Sequence, residues 1–139
     1  MARDKAPTGP EIKEKAKSAE LDSSKAGVGQ KGGKTAKLVP AKLHHLKDVK
    51  ELEDGQFIGV LETEIEGDRA GLPPGTYDVF VAKVKGDWNV YFESGGQVVG
   101  QAASVVEKKE PPPGEKPQFS EGSFCWWVWL IFTGFQWCV

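Results

Sequence analysis

The chain has 139 residues and a formal net charge of −2, enough for one domain with a modest core. The charge is unevenly placed, with a net +6 over residues 1–50, −7 over 51–110 and −1 over 111–139, so a basic arm precedes an acidic body. Two cysteines, Cys125 and Cys138, exclude a disulfide scaffold for that body and are too few for a structural zinc site.

The first residues contain no apolar stretch of the length a secretory signal requires, and Ala2 stands where N-myristoylation needs glycine. The expected location is therefore cytoplasmic, or the inner face of a membrane if the C-terminal tail attaches there. Residues 1–40 are rich in Lys, Ala, Gly and Ser and hold few large apolar side chains. Such a composition predicts a disordered basic arm, because too little surface can be buried to offset ordering entropy. Within it, pairs such as Glu11 and Lys15 sit at helical spacing and predict a transient helix over residues 11–21, with only Ile12 and Leu21 to bury. Residues 26–37 read as a flexible linker. Gly33-Lys34-Thr35 matches the end of a phosphate-binding loop, but Val28 stands where that motif needs its first glycine. No buried strand is predicted before it, so it is assigned to the linker.

After Pro40, Leu43, Leu46, Val49 and Leu52 follow a helical stripe and predict a short helix over residues 41–52, covering one edge or face of a sheet. A strand over part of this stretch stays open. His44 and His45 are neighbours, point about 100° apart on a helix, and so do not converge on a metal.

Four strands are predicted next. Residues 56–65 place Phe57, Leu61 and Ile65 on one face and Ile58, Val60, Glu62 and Glu64 on the other. Pro73-Pro74-Gly75 is a turn that opens a strand over 76–84, where Tyr77, Val79 and Val81 alternate with Asp78, Phe80 and Ala82. Lys85-Gly86-Asp87 reverses the chain into 88–93, with Trp88, Val90 and Phe92 on one face, and Ser94-Gly95-Gly96 turns it into 97–106. Short links force antiparallel neighbours. The expected fold is mainly β: a small antiparallel four-stranded meander, closed as a half-barrel or partial sandwich, with one short N-terminal helix and a disordered arm. It is expected to occupy residues 41–108 and to fold without the arm or the tail.

Leu72-Pro73-Pro74-Gly75-Thr76-Tyr77-Asp78-Val79 resembles the Leu-Pro-x-Gly-x-Tyr-x-Val strand opening of transthyretin-like and collagen-adhesin B-type β-sandwich domains. The resemblance implies that the turn and the tyrosine seat a strand in a structural or adhesive module, and it carries over no functional residue. The longer run over 72–106 is similar to small domains of bacterial proteins with no assigned function.

No constellation of catalytic residues stands out. Glu62, Glu64 and Glu66 would lie about 6.5–7 Å apart on one strand face, a spacing that suits a cation or a carboxylate pair. A solvated face accounts for it as well, and edge charge resists sheet-to-sheet association. Ser94, Ser104, Ser120 and Ser123 lie in no Gly-x-Ser-x-Gly turn, and neither cysteine has a histidine near it in sequence. Trp88, Tyr91 and Phe92, near Lys83 and Lys85, could stack on a base or sugar, but the body is acidic and repels phosphate. Trp88 and Phe92 are accordingly expected in the core. No enzyme activity, cofactor or metal is expected.

Residues 109–123 are a Pro-rich linker, and residues 124–139 (FCWWVWLIFTGFQWCV) form a hydrophobic, Trp-rich tail. The first of three readings is a membrane-seeking helix contacting lipid through Trp126, Trp127, Trp129, Leu130, Ile131, Phe132 and Trp137. It would span about 24 Å against a hydrocarbon core of about 30 Å. The second is a strand or hairpin completing the β domain, and the third is a sequence accident. A helix would hold Cys125 and Cys138 about 19–20 Å apart, beyond the roughly 7 Å of a disulfide. The helical reading therefore expects free thiols, and a bridge would mean a hairpin.

The expected function is a non-catalytic binding or structural module, held at a membrane by its tail or bound to a protein partner of unknown kind. The alternative is a polyanion- or nucleic-acid-binding accessory protein acting through residues 1–50. Salt dependence separates the two.

Overall fold

The computed structural model describes residues 3–42, 49–65, 72–102, 105–108, 117–120, 123–130 and 133–139. The fold is mainly β and antiparallel. One sheet runs in chain order through β1 (Gly27–Lys31), β2 (Lys34–Pro40), β3 (Gln56–Thr63), β4 (Gly75–Val84), β5 (Asp87–Ser94) and β6 (Gln97–Ala102). The second sheet contains β7 (Val105–Lys108), β8 (Gln118–Ser120), β9 (Ser123–Leu130) and β10 (Thr133–Cys138), in the order β7-β10-β9-β8. Two α-helices accompany them, α1 (Gly9–Lys17) and α2 (Val49–Asp54).

Four of the six strands in the first sheet, β3 to β6, are the expected meander. The other two come from the stretch expected to be linker. Gly32 and Gly33 have φ of 59° and 79°, the left-handed pair that a two-residue hairpin turn requires. They return β1 onto β2 in a register that pairs Lys31 with Lys34 and Gly27 with Leu38. Leu38 is fully buried and Ala36 nearly so. Gly29 makes room for the second sheet, since a Cβ there would lie 2.1 Å from the Phe119 ring.

The described part of the arm before β1 is ordered too. Thr8 caps α1 by accepting from the Glu11 amide at 3.3 Å, Pro10 lies in the first turn, and Lys15 and Lys17 end the helix. Ile12, one of two apolar residues expected to be buried here, has no exposed surface, while Leu21 stays 44% exposed. Upstream, the Arg3 amide donates to the Lys83 carbonyl at 2.9 Å and the Lys85 amide donates to the Arg3 carbonyl at 2.7 Å. The Arg3 guanidinium grips both Glu11 oxygens at 2.5 Å and donates to the Asp54 carbonyl at 3.0 Å. A few anchors thus order a segment whose composition predicts disorder.

One face assignment is corrected. Phe57, Leu61 and Ile65 were expected on one side of their strand, but a bulge between Phe57 and Gly59 shifts the pairing. Phe57 opposes Phe80, whereas Leu61 opposes Tyr77, so the two lie on opposite faces. Gly59 permits the close approach of β2, because a Cβ would stand 2.6 Å from the Val39 carbonyl oxygen.

The six-stranded sheet is packed against on both faces, on the helix side only over part of β3 to β6. Phe57, Phe80 and Tyr91 are buried towards α1 and α2, which lie against β3 and β4, with α1 reaching β5 and β6. On the opposite face lie Tyr77, Val79, Val81, Val90 and Phe92, and there the Trp88 ring meets Phe135 of the second sheet at 5.6 Å. Tyr77 packs edge-on to Phe92 and its hydroxyl donates to the Pro73 carbonyl, tying the Pro-Pro-Gly turn to the strand it opens. The expected helix over residues 41–52 is present only as α2, and residues 43–48 lie outside the described set.

The tail is not a helix. β9 and β10 form an antiparallel hairpin in which Cys138 opposes Cys125, and the two are joined as a disulfide with Cα atoms 4.1 Å apart. The expected free thiols are thus replaced by a bridge. Phe124, Phe135 and Trp137 belong to the same core as Ile12, Leu38 and the meander. That shared core runs across the boundaries expected at residues 41 and 108. Among the described residues no helix is long and apolar enough to cross a membrane.

Candidate functional site

The uncovered part of the helix-side face of the first sheet lies over β1 to β4. Straight pairing sets Val28 opposite Lys37, Lys37 opposite Glu62 and Glu62 opposite Thr76, one row across four strands. All four side chains are exposed, and Val28 is 62% exposed despite its place in a sheet. With Thr35, Thr63 and Glu64 this row lines an open groove of about 440 Å³. The next row, Leu38, Leu61 and Tyr77, is buried on the other side, so the strand period alone divides contact surface from core.

Glu64 is held rather than free. Its Oε1 accepts from the Thr35 amide at 3.1 Å and from the Thr35 hydroxyl at 2.7 Å, while its own amide donates to the Thr35 carbonyl at 2.9 Å. Those hydrogen bonds, the Thr35 hydroxyl first, hold its carboxyl below the usual range. Glu62 and Glu64 therefore share a strand face as expected, and Glu66 lies outside the described residues. The groove offers both charge signs, hydroxyls and the apolar side chain of Val28 on a shallow surface, which suits contact with an extended partner more than enclosure of a small molecule.

A second feature lies further along the same face, where α1 begins to cover the sheet. Asp78 is two residues on from Thr76 and opposes Glu93 across β4 and β5. Glu93 is only 3% exposed, and its Oε1 accepts from the Gly96 amide at 2.8 Å. Burial, then the hydrogen bond and charge of Glu93, push the Asp78 carboxyl up to about 6, against a smaller opposing pull from Lys13 of α1. Two carboxyls this close share a proton in preference to carrying two charges. Sequence reading passed over this pair, yet a signal was present. The Lys85-Gly86 turn pairs Val84 with Asp87, and counting back along both strands from there brings Asp78 to Glu93.

The other sequence-derived candidates fall elsewhere. Gly33-Lys34-Thr35 is the hairpin turn and the start of β2, so it leads into a strand where a phosphate-binding loop leads into a helix. His44 and His45 lie outside the described residues. Trp88 is half-buried with the Lys83 ammonium 5.6 Å over its ring, and Tyr91 and Phe92 are buried, so no stacking platform is presented. Of the expected membrane-contact residues, Trp137 is fully buried and cannot meet lipid. Trp126, Trp127, Trp129 and Leu130 lie in the paired strand β9 instead of a helix, and Ile131 and Phe132 lie outside the described residues. Among the described residues, no three His, Cys, Asp or Glu side chains gather to hold a metal ion.

Comparisons with protein-family models, curated proteins and solved structures give no match.

Proposed function

We propose that the chain is a non-catalytic binding or structural module with a sandwich-type β body, and that it binds an extended segment of a protein partner along the Val28–Lys37–Glu62–Thr76 row. The observation that carries this reading is the row itself. It is a straight line of exposed side chains crossing four strands, with a solvent-facing valine at one end and an opposed Lys–Glu pair in the middle. The Tyr77–Pro73 tie at the opening of β4 supports a structural role for that turn, in line with the resemblance to adhesive and transthyretin-like domains. The Cys125–Cys138 bridge supports an oxidising surrounding over the cytoplasmic or inner-membrane-face location expected from the lack of a secretory signal. Attachment to a membrane by a helical tail loses support, because the tail is a β hairpin and Trp137, one of the expected lipid contacts, is buried in the core.

The test is a photo-crosslinking residue placed at position 28, 37 or 62 of the full chain in its producing cells, with position 99 as control. Val99 is 45% exposed and lies on β6, away from the row. One discrete adduct shared by the three row positions and missing from the control supports the reading. Equal adducts at all four positions, or none, overturn it.

The second reading, polyanion binding through residues 1–50, is favoured by Lys31 and Lys34 facing each other across the β1–β2 hairpin, with Lys37 on the other face of β2. Against it, Glu62 opposes Lys37, and Lys34 lies close enough to Glu64 to influence its charge. Retention on heparin that falls steeply with salt and is abolished by Lys34→Ala with Lys37→Ala would favour this reading over the first.

A further inference from the structure

We propose that α1 is a proton-gated cover on the six-stranded sheet, held down while Asp78 keeps its proton against Glu93 and loosened once that proton is lost. The device does not depend on what the neighbouring groove binds.

The geometry has three parts. First, Asp78 and Glu93 are cross-strand partners, and Glu93 is almost wholly excluded from water. Second, the first residue of α1 lies flush on the turn after β5. A Cβ on Gly9 would come 2.1 Å from the Gly96 carbonyl oxygen, and the amide of that same Gly96 donates to Glu93. The helix start, the turn and the carboxyl pair thus form one contiguous assembly. Third, the surroundings of the pair are poor in compensating charge. Val60 of β3 opposes Asp78 and Val98 of β6 opposes Glu93, both without charge, and Lys13 of α1 is the cation acting on Asp78.

Protonated, Asp78 donates to Glu93, whose Oε1 also accepts from the Gly96 amide. Deprotonation of Asp78 removes that donor and places a negative charge on a partly buried site beneath α1. Burial is the largest cause of the high proton affinity of Asp78, and lifting α1 relieves burial. Ionisation and loosening are therefore linked: whatever binds the proton more weakly is favoured as pH rises. Lys13 opposes the effect without cancelling it. Arg3, gripping Glu11 and the Asp54 carbonyl, tethers the helix and keeps the opening local. An opened α1 would uncover the face beyond Thr76, where Phe80 and Tyr91 lie, and so lengthen the exposed row.

The test is amide hydrogen exchange of α1 in the full chain at pH 5 and pH 7.5, corrected for the intrinsic dependence of exchange on pH. Protection of α1 should fall roughly tenfold on going to the higher pH, while protection of β4 and β9 stays level. Asp78→Asn keeps a donor to Glu93 without a titrating proton, so α1 should stay protected at both pH values. Lys13→Met removes the opposing cation and should deepen the fall. If Asp78→Asn does not fold, a carboxyl NMR titration of the unaltered chain decides the matter. Asp78 titrating near pH 6 together with the loss of α1 protection supports the cover. Titration in the ordinary carboxylate range, an equal fall in Asp78→Asn, or no fall at all overturns it.

Discussion

Replacing Trp137 by alanine tests whether the hydrophobic tail is core or appendage. Trp137 has no exposed surface and lies in β10 opposite Trp126 of β9 and Val105 of β7. Its neighbour two residues away, Phe135, is 3% exposed and meets the Trp88 ring, so this strand helps tie the second sheet to the meander. A buried Trp hides about 150–250 Å², which at about 25 cal/mol per Å² is worth about 4–6 kcal/mol. Measured truncations of buried Phe and Trp to Ala cost about 3–5 kcal/mol, because neighbours relax only partly into the space left. Against a typical total of about 5–15 kcal/mol, the loss would be a large share of stability. Urea unfolding of the full chain, followed by far-UV circular dichroism, should show the midpoint falling with little change in slope. The melting temperature should drop by about 10–20 °C. Trp137→Phe should recover most of the loss. If Trp137→Ala costs less than about 1 kcal/mol while the protein still unfolds cooperatively, the tail is not part of the core and the joining of the two sheets is wrong.

Two further outcomes are expected from the same measurements. Cys138→Ser opens a bridge whose cysteines are 13 residues apart in sequence, a loop whose closure is worth about 3 kcal/mol by chain entropy. A reductant should lower the melting temperature of the unaltered chain to that of the variant, and a proteolytic digest without reductant should yield a linked Cys125–Cys138 fragment. Tyr77→Phe removes the hydroxyl that donates to the Pro73 carbonyl and should cost about 1 kcal/mol, whereas Tyr77→Ala also removes the packing on Phe92 and should cost about 3–5 kcal/mol. Equal costs for the two changes would mean the ring contributes nothing.

The strands β3 to β6 were legible because each carries its own alternation and is closed by its own glycine turn. The strand β1 was not, since two of its inward positions are Gly27 and Gly29 and leave no apolar period to read. What fills those places comes from far along the chain: Pro117 lies against Gly27 and the Phe119 ring against Gly29. The Gly32-Gly33 pair was a hairpin signal in the sequence, but the lysines around it gave the stretch the composition of a linker. In the arm, Ile12, Ala36 and Leu38 in the core and one arginine clamp do what composition says too few apolar residues can do, and propensity has no means of registering a contact made at long range. The tail was ambiguous because a continuous apolar run suits a doubly covered strand as well as a lipid-facing helix. The cysteine spacing separated the two readings only once the bridge was seen. The bulge at Phe57 to Gly59 inverted one face, because a single extra residue reverses every later position of a period-two pattern. For the site, Glu62 and Glu64 were visible on their strand, whereas their partners Lys37 and Thr35 lay in the unrecognised β2.

Asp78 also makes stability depend on pH in a direction opposite to that of most carboxylates. Its folded value of about 6 lies above the ordinary 3.8, so between those values the folded chain holds a proton that the unfolded chain has released. Stability from this group is present at low pH, falls as pH rises from about 4 to 6, and stays reduced above that window. At about 1.4 kcal/mol for each tenfold change in proton affinity, the rise sets an upper bound of about 3 kcal/mol. Asp78 remains partly hydrated, and screening by solvent reduces the expected effect to about 1 kcal/mol. Glu64 and Asp22 act in the opposite sense, their carboxyls lowered by hydrogen bonds from Thr35 and Ser24, so their contribution is lost only as pH falls through the acid range. The two trends overlap in the unaltered chain. Subtracting the stability of Asp78→Asn at each pH removes everything the two proteins share. Measured by urea unfolding at half-unit steps from pH 4 to pH 7.5, the difference should drift by about 1 kcal/mol in favour of Asp78→Asn, with its midpoint between pH 4 and pH 6. A difference that stays constant across that range would mean Asp78 titrates alike in the folded and unfolded chain, and that α1 and Glu93 do not confine its proton.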